Sequence, residues 1–379
     1  MSEPEARGTP TTAPRIAIVH EKFTVDAGAE RCVEALHDIW PAAPIFTTVC
    51  DPAVLAPGLR DATILTDRRL ERLYRGGDRY AHLLPLLAPA LRRHDLRDFD
   101  IVITSHHAFA NRIRVSPSTR VVGYIHTPAR WIWDASMRTH EVGGRIGRAG
   151  LATFAATQRG ADRRAAGRLD VVVANSHEVA GRIERWWGRT SDVIAPPVDI
   201  DFFTPGDRSE RGAAFLLAGR LVPYKRPEIA VAAATSAGVP LVVAGSGRAL
   251  ERCRAIAGPT VEFVPEVSRT ELRERYRDAR ALLYPGVEDF GIMPVEAQAC
   301  GTPVIALDAG GARDTVIDGV TGLRYASNGD PVAALADRLR TFDDARFDRQ
   351  RIREHAEQFS TARFRRQMGD IVARLIGGT

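Results

Sequence analysis

The residues of this chain best suited to chemistry are two cations and two carboxylates in its second half. In the run Leu216-Leu-Ala-Gly-Arg-Leu-Val-Pro-Tyr-Lys-Arg-Pro227, an apolar strand leads into Gly219 and Arg220, with Lys225 five residues on and Pro227 opening a helix. Arginine offers a planar fork of donors and lysine a compact charge, a combination suited to a diphosphate. An Arg and a Lys on an ordinary surface turn give the same pattern, so this segment alone leaves both readings open. In Tyr284-Pro-Gly-Val-Glu-Asp-Phe-Gly-Ile-Met-Pro-Val-Glu296, Gly291 and Pro294 mark a loop turning into a helix. The backbone amides of Phe290, Gly291 and Ile292 at that helix start point at an anion or a sugar hydroxyl. Carboxylates at Glu288 and Glu296 accept hydrogen bonds from sugar or ribose hydroxyls. Two solvated glutamates are the plainer alternative. The loop, helix, Gly301-Thr-Pro303 turn and following strand weigh against it.

A third segment, Val242-Val-Ala-Gly-Ser-Gly-Arg-Ala-Leu250, has Leu250 where a dinucleotide fingerprint has its third glycine, and it lies mid-domain. It reads instead as a strand-end turn, with Gly245 among the residues offering amides to a nucleotide. Phe263, Val264 and Pro265 end the next strand and either flank a base or belong to ordinary core. In the first half, the strand Ile16–His20 leads to Gly28 at the start of a helix, where the missing side chain lets a ligand approach the backbone. The run Val122-Gly-Tyr-Ile-His-Thr-Pro-Ala-Arg-Trp-Ile-Trp-Asp134 ends a strand at His126, and Trp131 and Trp133 supply flat faces for stacking on sugars. A lone histidine at a strand end is more often structural.

The elements that position these residues follow from alternation. Strand-like runs occur at 15–20, 44–50, 99–104, 120–126, 170–175, 192–196, 213–218, 239–244, 260–264, 281–284 and 303–307, with helix-length segments between them. Short Val/Ile/Leu-rich strands alternating with amphipathic helices define parallel α/β sheets covered on both faces. So many strands exceed one sheet of usual size, so two doubly wound domains are expected. The Pro- and Asp-rich stretch 196–211 marks the seam, and 326–379 reads as mostly helical.

Of the 52 basic residues only Lys22 and Lys225 are lysines, so the surviving Lys225 stands out within an arginine-biased chain. The net charge of +5 suggests acidic partners. No nucleic-acid motif or aromatic-basic platform accompanies it, which argues against a nucleic-acid binder. Residues 138–189 hold ten Arg against five acids, a patch suited to an anionic membrane surface or a pyrophosphate-linked acceptor, or simply a solvated helix face. The four cysteines are scattered without metal-ligand spacing and are expected to be reduced. No apolar run is long enough to span a membrane, and residues 1–14 read as a disordered tail.

Together these segments resemble glycosyltransferase family 4, retaining enzymes of the GT-B architecture, in which two Rossmann-like domains face a central cleft. The likeness runs from Arg15 over nearly the whole chain and is most specific at Gly219-Arg220…Lys225 and Glu288…Glu296. It implies that Arg220 and Lys225 hold the donor diphosphate, Glu288 the transferred sugar and Glu296 the ribose. Gly219, Gly245, Val264, Phe290, Gly291 and Ile292 line the same donor site. Of the family's glycine pair only Gly28 is present, because Ala27 stands at the first position. His-Thr-Pro followed by aromatics resembles a mannosyltransferase-like branch that builds cell-surface polysaccharides. That likeness implies that His126 meets the transferring sugar and that Ser105, His106 and His107 lie on the acceptor side with Trp131 and Trp133.

The expectation is therefore an acceptor domain at 15–200, a donor domain at 201–355 and a C-terminal helix at 356–379 returning to the first domain. The expected activity moves a hexose, taken as mannose from a GDP-linked donor, to a hydroxyl of a saccharide, lipid-linked or small-molecule acceptor. The nucleotide sugar is a substrate, and no cofactor or metal is expected. The expected location is cytoplasmic, with peripheral contact at the inner face of the membrane. An epimerase or phosphorylase of the same fold and a non-catalytic nucleotide-sugar binding protein are the alternatives.

Overall fold

A computed structural model describes residues 13–74, 83–135, 145–207, 210–327 and 329–377. The tail expected at 1–14 therefore lies almost wholly outside the described residues. The chain forms two parallel sheets. The first has seven strands, β1 (Ile16–His20), β2 (Ile45–Phe46), β3 (Ile64–Leu65), β4 (Ile101–His106), β5 (Arg120–Ile125), β6 (Val171–Ala174) and β7 (Asp192–Val193), in the order β3-β2-β1-β4-β5-β6-β7. The second has six, β8 (Phe215–Ala218), β9 (Leu241–Ala244), β10 (Val261–Val264), β11 (Leu282–Tyr284), β12 (Val304–Leu307) and β13 (Gly322–Tyr325), in the order β10-β9-β8-β11-β12-β13. Both sheets reverse direction of winding beside their first strand, between β1 and β4 and between β8 and β11. That switch point leaves a crevice at the carboxyl ends of the strands.

The strands are nearly continuous runs of Val, Ile, Leu and Ala because helices bury both faces. One face of the first sheet packs Val19, Val102, Ile125 and Ile183, and the other packs Ile18, Ile103, Tyr124 and Val173. The second sheet likewise separates Leu217, Val243 and Ile305 from Leu216, Ala244 and Val304. The helix Gly28–Ile39 covers the first sheet through Cys32, Val33, Ala35 and Leu36, spaced three to four residues apart at their ends as a single helical stripe requires.

Two strands were not anticipated. β3 is a two-residue edge, too short to carry an alternation signal. β13 begins at a glycine and runs Gly-Leu-Arg-Tyr, half polar, because an edge strand faces solvent on one side. The chain crosses between domains twice at one place. Val198 N–H donates to the Phe359 carbonyl at 2.9 Å where the two crossings run side by side. Beyond the second crossing, the helix Thr361–Gly377 lies on the first domain. Phe364, Met368, Ile371 and Val372 join the core formed by Ile18, Val33 and Tyr124.

Candidate active site

The second domain builds its part of the site from the ends of β8 and β11. After Ala218 the backbone at Gly219 turns to φ +96°. A Cβ there would stand 2.9 Å from Met293 Sδ, so a larger residue would be both strained and crowded. Arg220 follows, exposed at the mouth of the crevice. A short turn, Pro223–Lys225, ends at Arg226, whose φ of +53° is the sole positive value at a non-glycine among the described residues. Such a conformation costs about 1–3 kcal/mol and is held only when its surroundings impose it. Pro227 then starts the helix Pro227–Ala237.

This path brings Lys225 Nζ within 3.0 Å of Glu288 Oε1, their side chains 18% and 23% exposed. A part-exposed pair of this kind is worth at most about 1 kcal/mol, so an anion can take over the ammonium at small cost. The loop after β11 presses on the same turn, since a Cβ on Gly286 would lie 2.8 Å from Lys225 Cα. Arg220, Lys225, Tyr284, Gly286, Glu288 and Met293 line a small cleft.

From Glu288 the loop passes through Phe290, buried edge-on to Phe359, to the helix Ile292–Ala299. Glu296 sits on that helix and accepts a hydrogen bond from the Tyr276 hydroxyl at 3.1 Å. Burial raises its pKa, while Tyr276, Arg269, Arg31 and Lys225 pull the other way. The two glutamates thus face different partners, Glu288 the lysine and Glu296 the phenol. Gly245 sits against the same strand end. A Cβ on it would meet the Gly219 carbonyl at 2.1 Å, so this glycine lets the loops after β8 and β9 touch. Its N–H reaches the Val264 carbonyl at 3.4 Å, which fixes Val264 at the end of the neighbouring strand.

On the first domain, Gly28 opens its helix directly opposite the helix start of the second domain. A Cβ on Gly28 would stand 2.3 Å from Ile292 Cδ1. His126, half-buried at the end of β5, has Nε2 at 2.8 Å from Ser105 Oγ. Burial, and then the imidazoles of His107, His20 and His106, hold its pKa well below the usual histidine range, so the ring is neutral at pH 7.

Three of the acceptor-side candidates have packing partners within the first domain. His106 is fully buried, its ring edge-on to Trp187 and its Nδ1 accepting the Asn111 N–H at 3.3 Å. Burial pushes its pKa down to about 3. Trp131 is stacked on Phe154 at 5.6 Å. Trp133 is stacked on Trp186, with the Arg163 guanidinium also over its ring, and gives its indole N–H to buried Asp162 at 2.7 Å. These contacts tie the long helix Arg145–Ala166 and the helix His177–Trp187 to the end of β5.

Two features of the site escaped the sequence reading. Glu21, next to His20, is buried at the end of β1, and its Oε1 accepts N–H groups from His107, Ala108, Phe109 and Ala110 in succession. Burial opposes its charge, but His107, His106 and those amides hold its pKa down to about 2. A charged residue following a wholly apolar strand was the available signal. The second feature is Asp289. Its carboxylate takes Arg182 and, at 3.4 Å, Arg130, and its carbonyl accepts the Ser176 hydroxyl at 2.5 Å. Arg182 also donates to Thr127 Oγ1 at 3.2 Å. The residue after His126 and the residue after Glu288 are thereby joined through one guanidinium. Nearby, the His177 N–H donates to Asp314 at 3.1 Å.

Among the described residues no group of three or more His, Cys, Asp or Glu is arranged to hold a metal ion. The four cysteines are free thiols.

Two doubly wound domains with facing switch points, one carrying paired cations and carboxylates, define the GT-B architecture. Sequence models agree with the division: "Glycosyltransferase Family 4" matches residues 27–202 and "Glycosyl transferases group 1" matches residues 201–359. The first domain thus matches one glycosyltransferase model and the second domain the other. Among its relatives, the D-inositol 3-phosphate glycosyltransferase of Mycolicibacterium smegmatis is 37% identical over 197 residues, 45% of this chain and 44% of the relative. The protein of the same name from Mycobacterium leprae is 40% identical over 215 residues, 48% and 50% of the two chains. The chain thus spans about half the length of these relatives. In fold it resembles HepE of Anabaena, solved with UDP and glucose, with a TM-score of 0.67 at 15% identity over 95% of this chain and 100% of that one. It also resembles the sucrose-phosphate synthase of Thermosynechococcus elongatus, with a TM-score of 0.70 at 19% identity over 97% and 100%.

Proposed function

We propose that the protein is a retaining hexosyltransferase that takes its sugar from a nucleoside diphosphate and gives it to an acceptor hydroxyl. The observation that carries this reading is the meeting of Arg220, Lys225 and Glu288 around one cleft at the switch point of the second sheet. In the reaction, the bond from the anomeric carbon to the diphosphate oxygen breaks and a bond from the acceptor oxygen forms on the same face. The acceptor proton passes to the departing diphosphate. Arg220 and Lys225 offset the negative charge that grows on the leaving group, which is electrostatic stabilisation by groups already in position. They supply positive charge that a metal would otherwise provide. Lys225 exchanges its Glu288 partner for phosphate oxygens, which frees Glu288 to accept hydrogen bonds from the sugar hydroxyls. Glu296 takes the ribose hydroxyls. Gly28 and the helix start at Ile292 close the two domains over the diphosphate and keep water out.

The donor we favour is GDP-mannose, on the likeness of the His126-Thr-Pro run to mannosyltransferase-like enzymes. For the acceptor, the D-inositol 3-phosphate glycosyltransferases among the relatives support a small phosphorylated polyol beside the saccharide or lipid-linked acceptors. The basic region 138–189, of which 138–144 lie outside the described residues, is offered as a peripheral contact with an anionic membrane. No helix among the described residues is long and apolar enough to cross one.

Melting the protein in the presence of GDP, UDP, ADP or dTDP tests the donor site. One nucleotide at about a hundred times its Kd should add about 2.7 kcal/mol to native-state stability. A protein that none of the four stabilises would overturn the nucleotide-sugar reading. Stabilisation by UDP alone would refute the GDP assignment and leave the reaction class standing. Glu296→Ala should weaken binding of that free nucleotide about tenfold, the loss of one charge-assisted hydrogen bond. Unchanged affinity removes the ribose role.

A further inference from the structure

The ends of β1, β4 and β5 hold a buried chain of side chains that the proposed reaction does not yet use. His20 and Ser105 are register partners on adjacent strands, and Ser105 pairs with Tyr124, two residues before His126. Residues paired across strands, and those two further along, point to one face, so the three side chains meet. Ser105 Oγ is 3.0 Å from His20 Nδ1 and 2.8 Å from His126 Nε2. On the far side, His20 Nε2 is 3.7 Å from Glu30 Oε1, with both side chains buried. His126, at the other end, is half-buried just beyond the carboxyl end of β5.

We infer that Glu30, His20 and Ser105 are positioning residues that fix His126 with its proton on Nε2 and its Nδ1 lone pair turned to the cleft. A serine hydroxyl has one proton, so it donates to one imidazole and accepts from the other. At 3.7 Å the Glu30 carboxylate lies beyond hydrogen-bond distance of His20 Nε2, but its negative charge favours the ring proton on that nearer nitrogen, which leaves His20 Nδ1 as an acceptor. Ser105 therefore donates to His20 and accepts from His126 Nε2–H. His126 is left with a single bare nitrogen, Nδ1, able to accept a hydrogen bond from a sugar hydroxyl. The opposite tautomer would present an N–H at the same place. A second hydrogen bond, His126 N–H to the His106 carbonyl at 2.8 Å, fixes the backbone below the ring. The surrounding titratable groups are Glu21, His106 and His107. His107 stands 5.9 Å from the His20 ring and 6.4 Å from the His126 ring, and Glu21 is committed to the amides of residues 107–110.

This inference rests on the reading that His126 meets the transferred sugar, and the test separates the two. Proton–nitrogen correlation spectra of the imidazoles, with His126 assigned by comparison with His126→Gln, report which ring nitrogen is protonated. The wild-type protein is expected to show His126 protonated on Nε2. Ser105→Ala should give a mixture of tautomers or the Nδ1–H form, and Ser105→Thr, which keeps the hydroxyl, should restore the wild-type pattern. In the same variants, Ser105→Ala should lower kcat about tenfold, the value of one hydrogen bond, while the Kd of the free nucleotide stays unchanged. Ser105→Thr should recover most of the rate. A wild-type His126 protonated on Nδ1, or an unchanged tautomer in Ser105→Ala, overturns the inference. A tautomer that responds as stated beside an unchanged kcat supports the positioning chain and refutes the sugar contact of His126.

Discussion

Lys225→Ala is expected to lower kcat/KM by about 10²–10³-fold, the usual cost of removing one preorganised group that stabilises transition-state charge. The lysine is built into the fold at three points. Gly219 lets the strand end turn, Arg226 is held in a left-handed conformation just after it, and Gly286 allows the β11 loop to lie against its backbone. The ammonium so placed is 3.0 Å from Glu288. Because this pair is part-exposed, its loss should change stability by less than about 1 kcal/mol, so the melting temperature should hardly move while turnover collapses. Lys225→Arg keeps the charge but replaces a compact group by a planar fork, and it should recover only part of the rate. Steady-state kinetics with the donor that stabilises the protein, beside a melting curve, decide the matter. A Lys225→Ala enzyme of normal kcat/KM would remove the central assignment.

Glu21→Gln should have the largest effect on stability, a loss of about 3 kcal/mol at neutral pH, because it removes a buried charge to which four backbone N–H groups donate. The neutral amide keeps an acceptor for the N–H groups of residues 107–110 but not the attraction for them or for His107, whose Nε2 is 3.4 Å from the carboxylate. The pH dependence has a defined sign. The Glu21 pKa is about 2 in the native protein against an ordinary 4.5. Its contribution is therefore complete above pH 4.5 and is lost as pH falls towards about 2. Urea unfolding of the two proteins should differ most at neutral pH and converge over that acid window. A difference that is constant down to about pH 2 would mean that the carboxylate's charge is not what stabilises the loop.

Sequence alone was enough to expect both sheets, because a strand buried on two faces has to be apolar throughout and a helix covering it has to carry a stripe. The same logic placed Arg220, Lys225 and Glu288 near strand ends, where polar residues interrupt apolar runs. It does not give direction. His106 and Trp133 looked like ligands because a histidine at a strand end and aromatics after it resemble a binding wall. Which face each side chain takes depends on what packs there, and here Trp187, Trp186 and Asp162 lie against them.

The cations and carboxylates of the donor cleft were thus written locally, as residue types at turns between elements. Their pairing was not. Lys225 meets Glu288 only because β8 and β11 become neighbours across the switch point of the sheet. Arg182 meets Asp289, 107 residues away, only because the two domains close on one another. The chain from His20 to His126 exists only in the register of β1, β4 and β5, and Glu30 joins it from the helix Gly28–Ile39. Residue type and spacing decide which chemistry a chain can offer. Distances and proton positions come from long-range contacts, since hydrogen bonds and ion pairs act over a few ångströms, and folding alone brings those groups that close.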